Sequence, residues 1–442
     1  MGRTPLTLFA TRRFLPLFVT LFLGALNDNL FRQALIILIT YKLAAEIATD
    51  PAVLTNLAIG LFILPFFLFS ALAGQLADKF EKAHQIVWIK VWEVGLMIVG
   101  AFAFYFSSLP LLIGVLSGLG LQSTFFGPIK YGVLPDLMKS EELLPANAVV
   151  EAGTFIAILI GVLVGGLMVG TAGDGGLGIS ILMIALAVIG VMSGRLVPKT
   201  GQAAPTLEID INIFRSTWRQ LRRAWQSDIA RPAIVGISWI WLYGSIYIAQ
   251  IPVIVKERLA GDNTVVTLII ACFTVGIGAG SLLCNRILKA HISARLAKPS
   301  LYGLGAVSIV FTLALPTAPA VPFADEGLLG LQAFLLDPIN WIIVLALLGV
   351  AVMAGMVIVP LYAILQDYMP RDERSRTIAA NNIVNSGFMA GGTIAAAALI
   401  FAGLTTVHVF LLYALCNILI AAPMARLNSR LTATDKAAHK DN

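Results

Sequence analysis

LPLFVTLFLGALNDNLFRQALIILIT, residues 15–40, sets two demands against each other. Its ends are as apolar as lipid, and at 1.5 Å per residue the stretch is long enough to cross a bilayer core of ~30 Å. Its middle carries Asn27, Asp28, Asn29 and Arg32. A charged side chain at the centre of a membrane helix costs at least ~2.5–3.5 kcal/mol, so such groups face partners or a water-filled cavity inside a helix bundle. The stretch therefore predicts a spanning helix that is one wall of a polytopic bundle.

The rest of the chain agrees. Of its 442 residues, 58% are apolar and 12% charged, with a mean hydropathy of +0.89, whereas soluble domains carry about 25% charged residues. The expected fold class is an all-α membrane protein with twelve transmembrane helices in two six-helix repeats. Spans are predicted near 14–40, 54–76, 85–106, 109–134, 144–170 and 177–197, then 231–254, 263–285, 299–315, 339–366, 377–402 and 405–425. The domains that follow are an N-terminal bundle over 1–197, a linker over 198–230, a C-terminal bundle over 231–426 and a polar cytoplasmic tail over 427–442.

Lys and Arg number 30. Only Lys42, Lys256 and Arg258 fall in odd-numbered loops, and Arg32, Lys90 and Lys130 lie inside spans. The remainder crowd the tails and even-numbered loops, which puts both termini in the cytoplasm. The +6 net charge reflects that bias, and no nucleic-acid partner is expected. Arg3, Arg12 and Arg13 before an apolar run imitate a signal peptide. The polar cluster that follows has no cleavage signal, so an uncleaved first span is expected. Cys272, Cys284 and Cys416 all lie in apolar runs and suit buried hydrophobes.

Within the linker, Ile211, Phe214, Trp218, Leu221 and Trp225 recur at helical spacing, with Arg215, Arg219, Arg222 and Arg223 largely between them. That is a basic amphipathic helix, suited to an anionic membrane surface, to tethering two halves, or to docking a partner. The halves also echo each other. GPIKYGVLPDLMKSEELLPANAVVEAGT (127–154) and VPLYAILQDYMPRDERSRTIAANNIVNSG (359–387) share an internal Pro, an acidic helix end, a short charged loop and an Ala-Asn opening the next helix.

Six charges lie within first-half spans: Asp28, Arg32, Lys90, Glu93, Lys130 and Glu151. Asp28 and Arg32 are spaced i,i+4, and Lys90 and Glu93 i,i+3, so each pair shares a helix face. Paired charges in a bundle also serve packing alone, the expectation for Lys90–Glu93. Asp28, near the bilayer midplane, and Lys130, in a Pro-Gly-flanked helix, are the substrate or coupling-ion candidates, with Arg32, Glu151 and Asn29 beside them. The second half offers an apolar, amide-bearing wall: Trp239, Trp241, Tyr243, Tyr247, Met353, Met356, Asn381, Asn382 and Asn385. Tyr243, Tyr247, Asn381 and Asn385 are its cavity candidates. One charged wall and one apolar wall suit an amphiphile. No nucleotide-binding loop, metal-protease helix motif or nucleophile elbow is present, so no enzyme activity is expected.

GQLADKFEK (74–82) resembles the signature loop of the major facilitator superfamily, with Phe80-Glu81 where Gly-Arg is usual. The resemblance implies a gating role for Gly74, Asp78, Lys79 and Lys82, with Asp78 meeting a neighbouring helix end; GSLLCNRILK (280–289) is its degenerate counterpart. GALNDNLFRQALIIL, FFGPIKYGVLPDL and ELLPANAVVEAGTFIAILIG together resemble the lysophospholipid transporter family of that superfamily. The wording of span 1 is similar to members fused to an acyltransferase and an acyl-carrier-protein synthetase. The chain stops at Asn442, so those enzymes are expected as separate polypeptides.

What the resemblance implies is inward flipping of lysophosphatidylethanolamine and lysophosphatidylglycerol across a bacterial inner membrane, by alternating access and for reacylation. Asp28, Lys130 and Glu151 are its key residues. No cofactor is expected beyond a coupling Na⁺, placed at Asp28, or H⁺, and the expected state is a monomer among membrane lipids. Two alternatives stay open: a proton- or sodium-coupled transporter of another small amphiphile, drug or sugar, and a scaffold that recruits an acyltransferase through the basic helix.

Overall fold

A computed structural model of the chain describes residues 5–43, 51–170, 176–315 and 328–438. Among the described residues, regular structure is helical apart from one isolated bridge between Gly261 and Leu329. Twelve helices are long and apolar enough to cross a membrane. In the first half these are α1 (Leu15–Leu38), α2 (Pro51–Lys79), α3 (Lys82–Tyr105), α4 (Leu109–Leu137), α5 (Ser140–Gly170) and α6 (Leu177–Gly194). The linker helix α7 (Ile213–Gln226) follows. Then come α8 (Ala230–Leu259), α9 (Asn263–Leu288), α10 (Ala297–Ala314), a short α11 (Leu331–Leu336), α12 (Pro338–Asp367), α13 (Arg374–Phe401) and α14 (Thr406–Ala438).

The local reasons are ordinary ones. Proline sits in the first turn of α1 and α4, where its missing N–H goes unused. Asp262 caps α9, its Oδ1 accepting from the amides of Thr264 at 2.8 Å and Val265 at 3.3 Å; the Thr264 hydroxyl and those amides hold its carboxyl below the ordinary value. Internal prolines such as Pro65, Pro128 and Pro360 survive because neighbouring helices stabilise a spanning helix.

Two differences from the sequence expectation concern helix ends. Helix α3 begins at Lys82 and α13 at Arg374, because a helix need not stop where hydrocarbon does. Helix α14 runs on to Ala438, through residues expected as a polar tail. After Pro423 the described stretch holds neither Gly nor Pro to break it. Residues 439–442 of that tail lie outside the described residues.

The chain divides into two compact units. The first comprises Met1–Ala146, Gly153–Gln226 and Leu365–Ser386; the second comprises Asn147–Ala152, Ser227–Ile364 and Gly387–Asn442. In the first, α2 packs on α4, α3 on α6 and α4, and α1 on α6. Its core includes Leu30, Phe31, Leu35, Met97, Phe104, Leu119 and Met183. In the second, α10 packs on α14, the counterpart of α3 on α6. The repeat extends to backbone contact. A Cβ on Gly120 would lie 2.2 Å from the Phe62 carbonyl oxygen where α4 crosses α2, and one on Gly280 would lie 2.0 Å from the Val352 oxygen where α9 crosses α12. Only glycine permits either crossing.

The linker is strapped to the first unit. The Thr200 amide donates to Glu81 Oε1 at 2.9 Å, the Ala204 amide to the Asp78 carbonyl at 2.8 Å, and the Asp210 amide to Gln75 Oε1 at 2.8 Å. Burial alone would raise the Glu81 carboxyl, but the amides of Thr200, Ala83 and Gly201 hold it below its ordinary value. Asp210 is likewise held low, chiefly by the Arg215 guanidinium.

Candidate functional site

Helices α1, α3 and α4 bring their polar residues to one connected cluster in the first unit. Asp28 Oδ2 accepts the Ser123 hydroxyl at 2.7 Å. Ser123 Oγ also lies 3.2 Å from Gln122 Oε1, and Gln122 Nε2 donates to Glu93 Oε2 at 3.2 Å. Glu93 pairs with Lys90 at 2.6 Å and accepts from Asn27 Nδ2 at 3.1 Å. The Lys90 ammonium sits 5.2 Å above the Phe126 ring, in a slot that a Cβ on Gly24 would fill at 2.5 Å. Lys90 and Glu93 are thus a buried, satisfied pair; breaking one by removing a single partner typically costs 3–5 kcal/mol.

Arg32 does not pair with Asp28, although the i,i+4 spacing allows it. Its Nη2 donates to Asn29 Oδ1, and Asn29 Nδ2 donates to the Ala25 carbonyl at 2.7 Å. Asp28 Oδ1 is enclosed and has no hydrogen-bond partner among the described residues. An unmet carboxylate oxygen in a dry environment is costly, so this atom has unused capacity for a donor. The described residues gather no cluster of three or more His, Cys, Asp or Glu side chains.

Lys130 stands apart from this cluster. Its ammonium donates to Thr154 Oγ1 at 3.0 Å and lies 4.9 Å above the Tyr131 ring. Glu151, on α5, is fully buried and belongs to the second unit.

A second polar assembly forms at the end of the first unit that carries the even-numbered loops. Asp78 Oδ1 accepts the Ser375 amide at 2.9 Å, and its Oδ2 accepts the Arg376 amide and Nε, each at 3.1 Å. A carboxylate on the first amides of α13 is a helix N-terminus interaction. Gly74 makes room for it: a Cβ there would lie 2.6 Å from Ala379 Cβ. Lys82, one of the loop residues given a gating role by the resemblance, is buried and paired with Asp136 at 2.9 Å, because Asp136 turns inward at the end of α4. Arg371 and Arg374 reach the other Asp136 oxygen at 3.3 and 3.4 Å. Lys79 remains half-buried at the loop, 5.9 Å over the Phe80 ring.

The second-half candidates divide. Tyr243 donates to Ser308 Oγ at 2.5 Å, and Tyr247 is packed among Phe273, Phe311 and Phe410. Both are part of the aromatic interior of the second unit rather than an open wall, since large flat rings gain most when covered on both faces. Asn381 and Asn385 belong to the first unit and are buried. Neither amide atom of Asn381 has a hydrogen-bond partner among the described residues.

Sequence reasoning missed Gln122 and Ser123. The available signal was LQSTFFG (121–127), a run of three polar residues in an otherwise apolar span. It also missed Arg371 and Arg374, whose charges looked like an ordinary solvated loop.

Comparisons with known proteins bear on the whole arrangement. The family model described as Major Facilitator Superfamily matches residues 17–393. A Cronobacter sakazakii protein named lysophospholipid transporter LplT is 26% identical over 85% of this chain and 84% of its own. An Escherichia coli protein of the same name is 28% identical over 79% of each. Among solved structures, the human organic anion transporter MFSD10 superposes with a TM-score of 0.73 at 13% identity, over 93% of this chain and 99% of its own. The Escherichia coli fucose:proton symporter FucP does so at 0.71 and 12%, over 96% and 99%. At such identities the structural likeness speaks for the fold alone.

Proposed function

The chain belongs to the major facilitator superfamily, and from that premise we propose that it transports lysophospholipids. Relatives carrying that name align with about four fifths of the chain. The observation that carries the head-group reading is Asp28: one oxygen is held by Ser123, while the other is enclosed and has no partner among the described residues. A lysophosphatidylethanolamine head bears an ammonium and a phosphate. Asp28 takes the ammonium and Lys130 the phosphate, through charge-assisted hydrogen bonds. A lysophosphatidylglycerol head presents only the phosphate and hydroxyls, so it leans on Lys130. Asn29 and Arg32 orient the Asp28 turn of α1. Asn381 and Asn385 are further head-group contacts.

Transport runs inward across a bacterial inner membrane, with both termini cytoplasmic, and breaks no covalent bond. Reacylation belongs to an acyltransferase or acyl-carrier-protein synthetase on a separate chain. Asp78 on the first turn of α13, with the Asp136 cluster beside it, acts as the latch that alternating access opens and closes. A Na⁺ or a proton at Asp28 supplies the coupling, and the protein works as a monomer.

The test is uptake and reacylation of labelled lysophosphatidylethanolamine in spheroplasts of a strain lacking its own transporter. Asp28→Asn and Lys130→Ala each lower uptake at least about tenfold, the loss of one charge-assisted contact, while the protein still inserts and elutes as a folded monomer. Normal reacylation with either variant sinks the head-group assignment. Imposed sodium and proton gradients, applied separately, identify the coupling ion.

A further inference from the structure

Helix α7 shows three faces, and the aromatic one is largely exposed. Ser216, Gln220 and Ala224 pack on α2, with Gln220 Nε2 donating to the Ala71 carbonyl at 2.7 Å. Phe214 is 79% exposed, Trp218 69% and Trp225 42%. Residues 210–226 set four arginines against one aspartate. Arg215 and Arg219 are both tied to Asp210, and Arg223 to Glu373. Arg222 is exposed and takes part in no ion pair among the described residues.

Between α7 and α2 lies a cavity of about 150 Å³, lined by Phe67, Leu68, Ile213, Phe214, Thr217, Trp218 and Leu221. Its depth says what fills it. Helix α2 has 29 residues, ~44 Å at 1.5 Å each, so it overhangs a ~30 Å hydrocarbon core by ~7 Å at each end. Phe67 lies ~18 Å from Lys79 along that axis, well inside the hydrocarbon, and Gln75, bonded to Asp210, lies close to its edge. A soluble protein does not reach that depth, whereas an acyl chain does. One wall atom is polar: Thr217 Oγ1 is enclosed and has no partner among the described residues.

We propose that the α2–α7 groove is a binding site for an anionic diacyl phospholipid of the cytoplasmic leaflet. An acyl segment fills the cavity, the Thr217 hydroxyl donates to the glycerol ester carbonyl, and Arg222 takes the phosphate. Trp218 is itself a wall of the cavity, so an acyl segment seated there lies against its ring. The site shares no residue with the Asp28 cluster. It rests on the cytoplasmic placement of the linker but not on the substrate reading, because the readout below is lipid occupancy rather than transport.

The experiment uses the full chain in phosphatidylcholine nanodiscs doped with phosphatidylglycerol whose acyl chains are brominated, which quenches nearby tryptophan. The Trp218 signal is the difference between the protein and Trp218→Phe. Brominated phosphatidylglycerol quenches it at a mole fraction about tenfold below that needed with brominated phosphatidylcholine, one charge-assisted contact's worth. Arg222→Gln erases that preference, and Thr217→Val raises the required fraction about threefold, the scale of one neutral hydrogen bond. Unchanged gel filtration and unchanged signal from the other tryptophans keep both variants interpretable. Equal quenching by the two lipids, or a preference that survives Arg222→Gln, overturns the site in favour of unselective lipid contact. No quenching at all means that protein or water covers the face, and overturns it too. If brominated lysophosphatidylglycerol quenches as well as the diacyl lipid, the groove is a substrate station and this assignment falls.

Discussion

Ser123 has one hydroxyl proton and two acceptors within reach, Asp28 Oδ2 at 2.7 Å and Gln122 Oε1 at 3.2 Å. While Asp28 is charged, the proton belongs on the carboxylate, the stronger acceptor. On the proposed head-group reading, neutralising Asp28 would weaken that acceptor and let the hydroxyl turn toward Gln122, itself bonded to Glu93. Ser123→Ala removes the donor that aims Asp28, so lysolipid uptake should fall about tenfold, from ~1.5 kcal/mol for a bond to a charged group. Ser123→Thr should restore most of it; an inactive Thr variant in the same uptake assay would count against the donor role. Asp28 and Lys130 were legible as charges inside spans because each interrupts an apolar run at evident cost. Ser123 was not, since a serine in a membrane helix is inexpensive and common. Nor was the Arg32–Asn29 bond, because i,i+4 spacing permits a pairing without choosing it. Asp210 gives the pH expectation at this scale. Its carboxyl is held below the ordinary 3.8, first by the Arg215 guanidinium. A depressed carboxyl contributes stability that is complete above its unfolded value and lost as pH falls through the folded one. Hydrogen-exchange protection factors of residues 199–212, taken relative to the unfolded chain at each pH, should therefore stay constant from about pH 5 to about pH 8, and Asp210→Asn should lower them throughout that range.

At the scale of elements, the spans were legible almost end to end, because length and hydropathy fix what crosses a bilayer. What periodicity left open is which faces touch. Tyr243 and Tyr247 read as cavity wall from sequence, since an aromatic stripe looks the same whether it lines a pocket or fills one. The α2–α4 crossing depends on Gly120, where a side chain would strike the Phe62 carbonyl. Gly120→Val should destabilise the protein by about 1–3 kcal/mol, the usual cost of overpacking, read as a lowered midpoint in a thermal melt of detergent-purified protein; an unchanged midpoint would mean that the crossing is looser than described. The contact of Asp78 with the first turn of α13 is also an element-scale property. Asp78→Asn keeps the shape but discards the charge, and should weaken that helix end by ~0.5–2 kcal/mol. The loss should be read as a lowered midpoint in a thermal melt of the detergent-purified Asp78→Asn protein; an unchanged midpoint would count against the contact.

For the whole molecule, the tandem design was visible in sequence as an echo between 127–154 and 359–387, and it reappears as α3 on α6 and α10 on α14. The helix bounds also give an even number of candidate crossings. Both ends should therefore report from one side, and the Lys and Arg bias makes that side cytoplasmic. Reporter fusions at Asn442 and after Lys199 should both be cytoplasmic, whereas one after Asp262 should be exported. An exported fusion at Asn442 would require one span more or fewer.

The cluster around Asp136 has a consequence for the chain's evolution. Lys82 lies 54 positions upstream of its partner, and Arg374 lies 238 downstream. Substituting Asp136 alone takes the paired carboxylate from the buried Lys82 ammonium and the ion-pair partner from Arg374, a penalty that single mutations seldom survive. These columns should thus change together or not at all. Tolerated replacements should come as charge swaps or joint neutralisations, so that two halves born as copies inherit their changes as a pair.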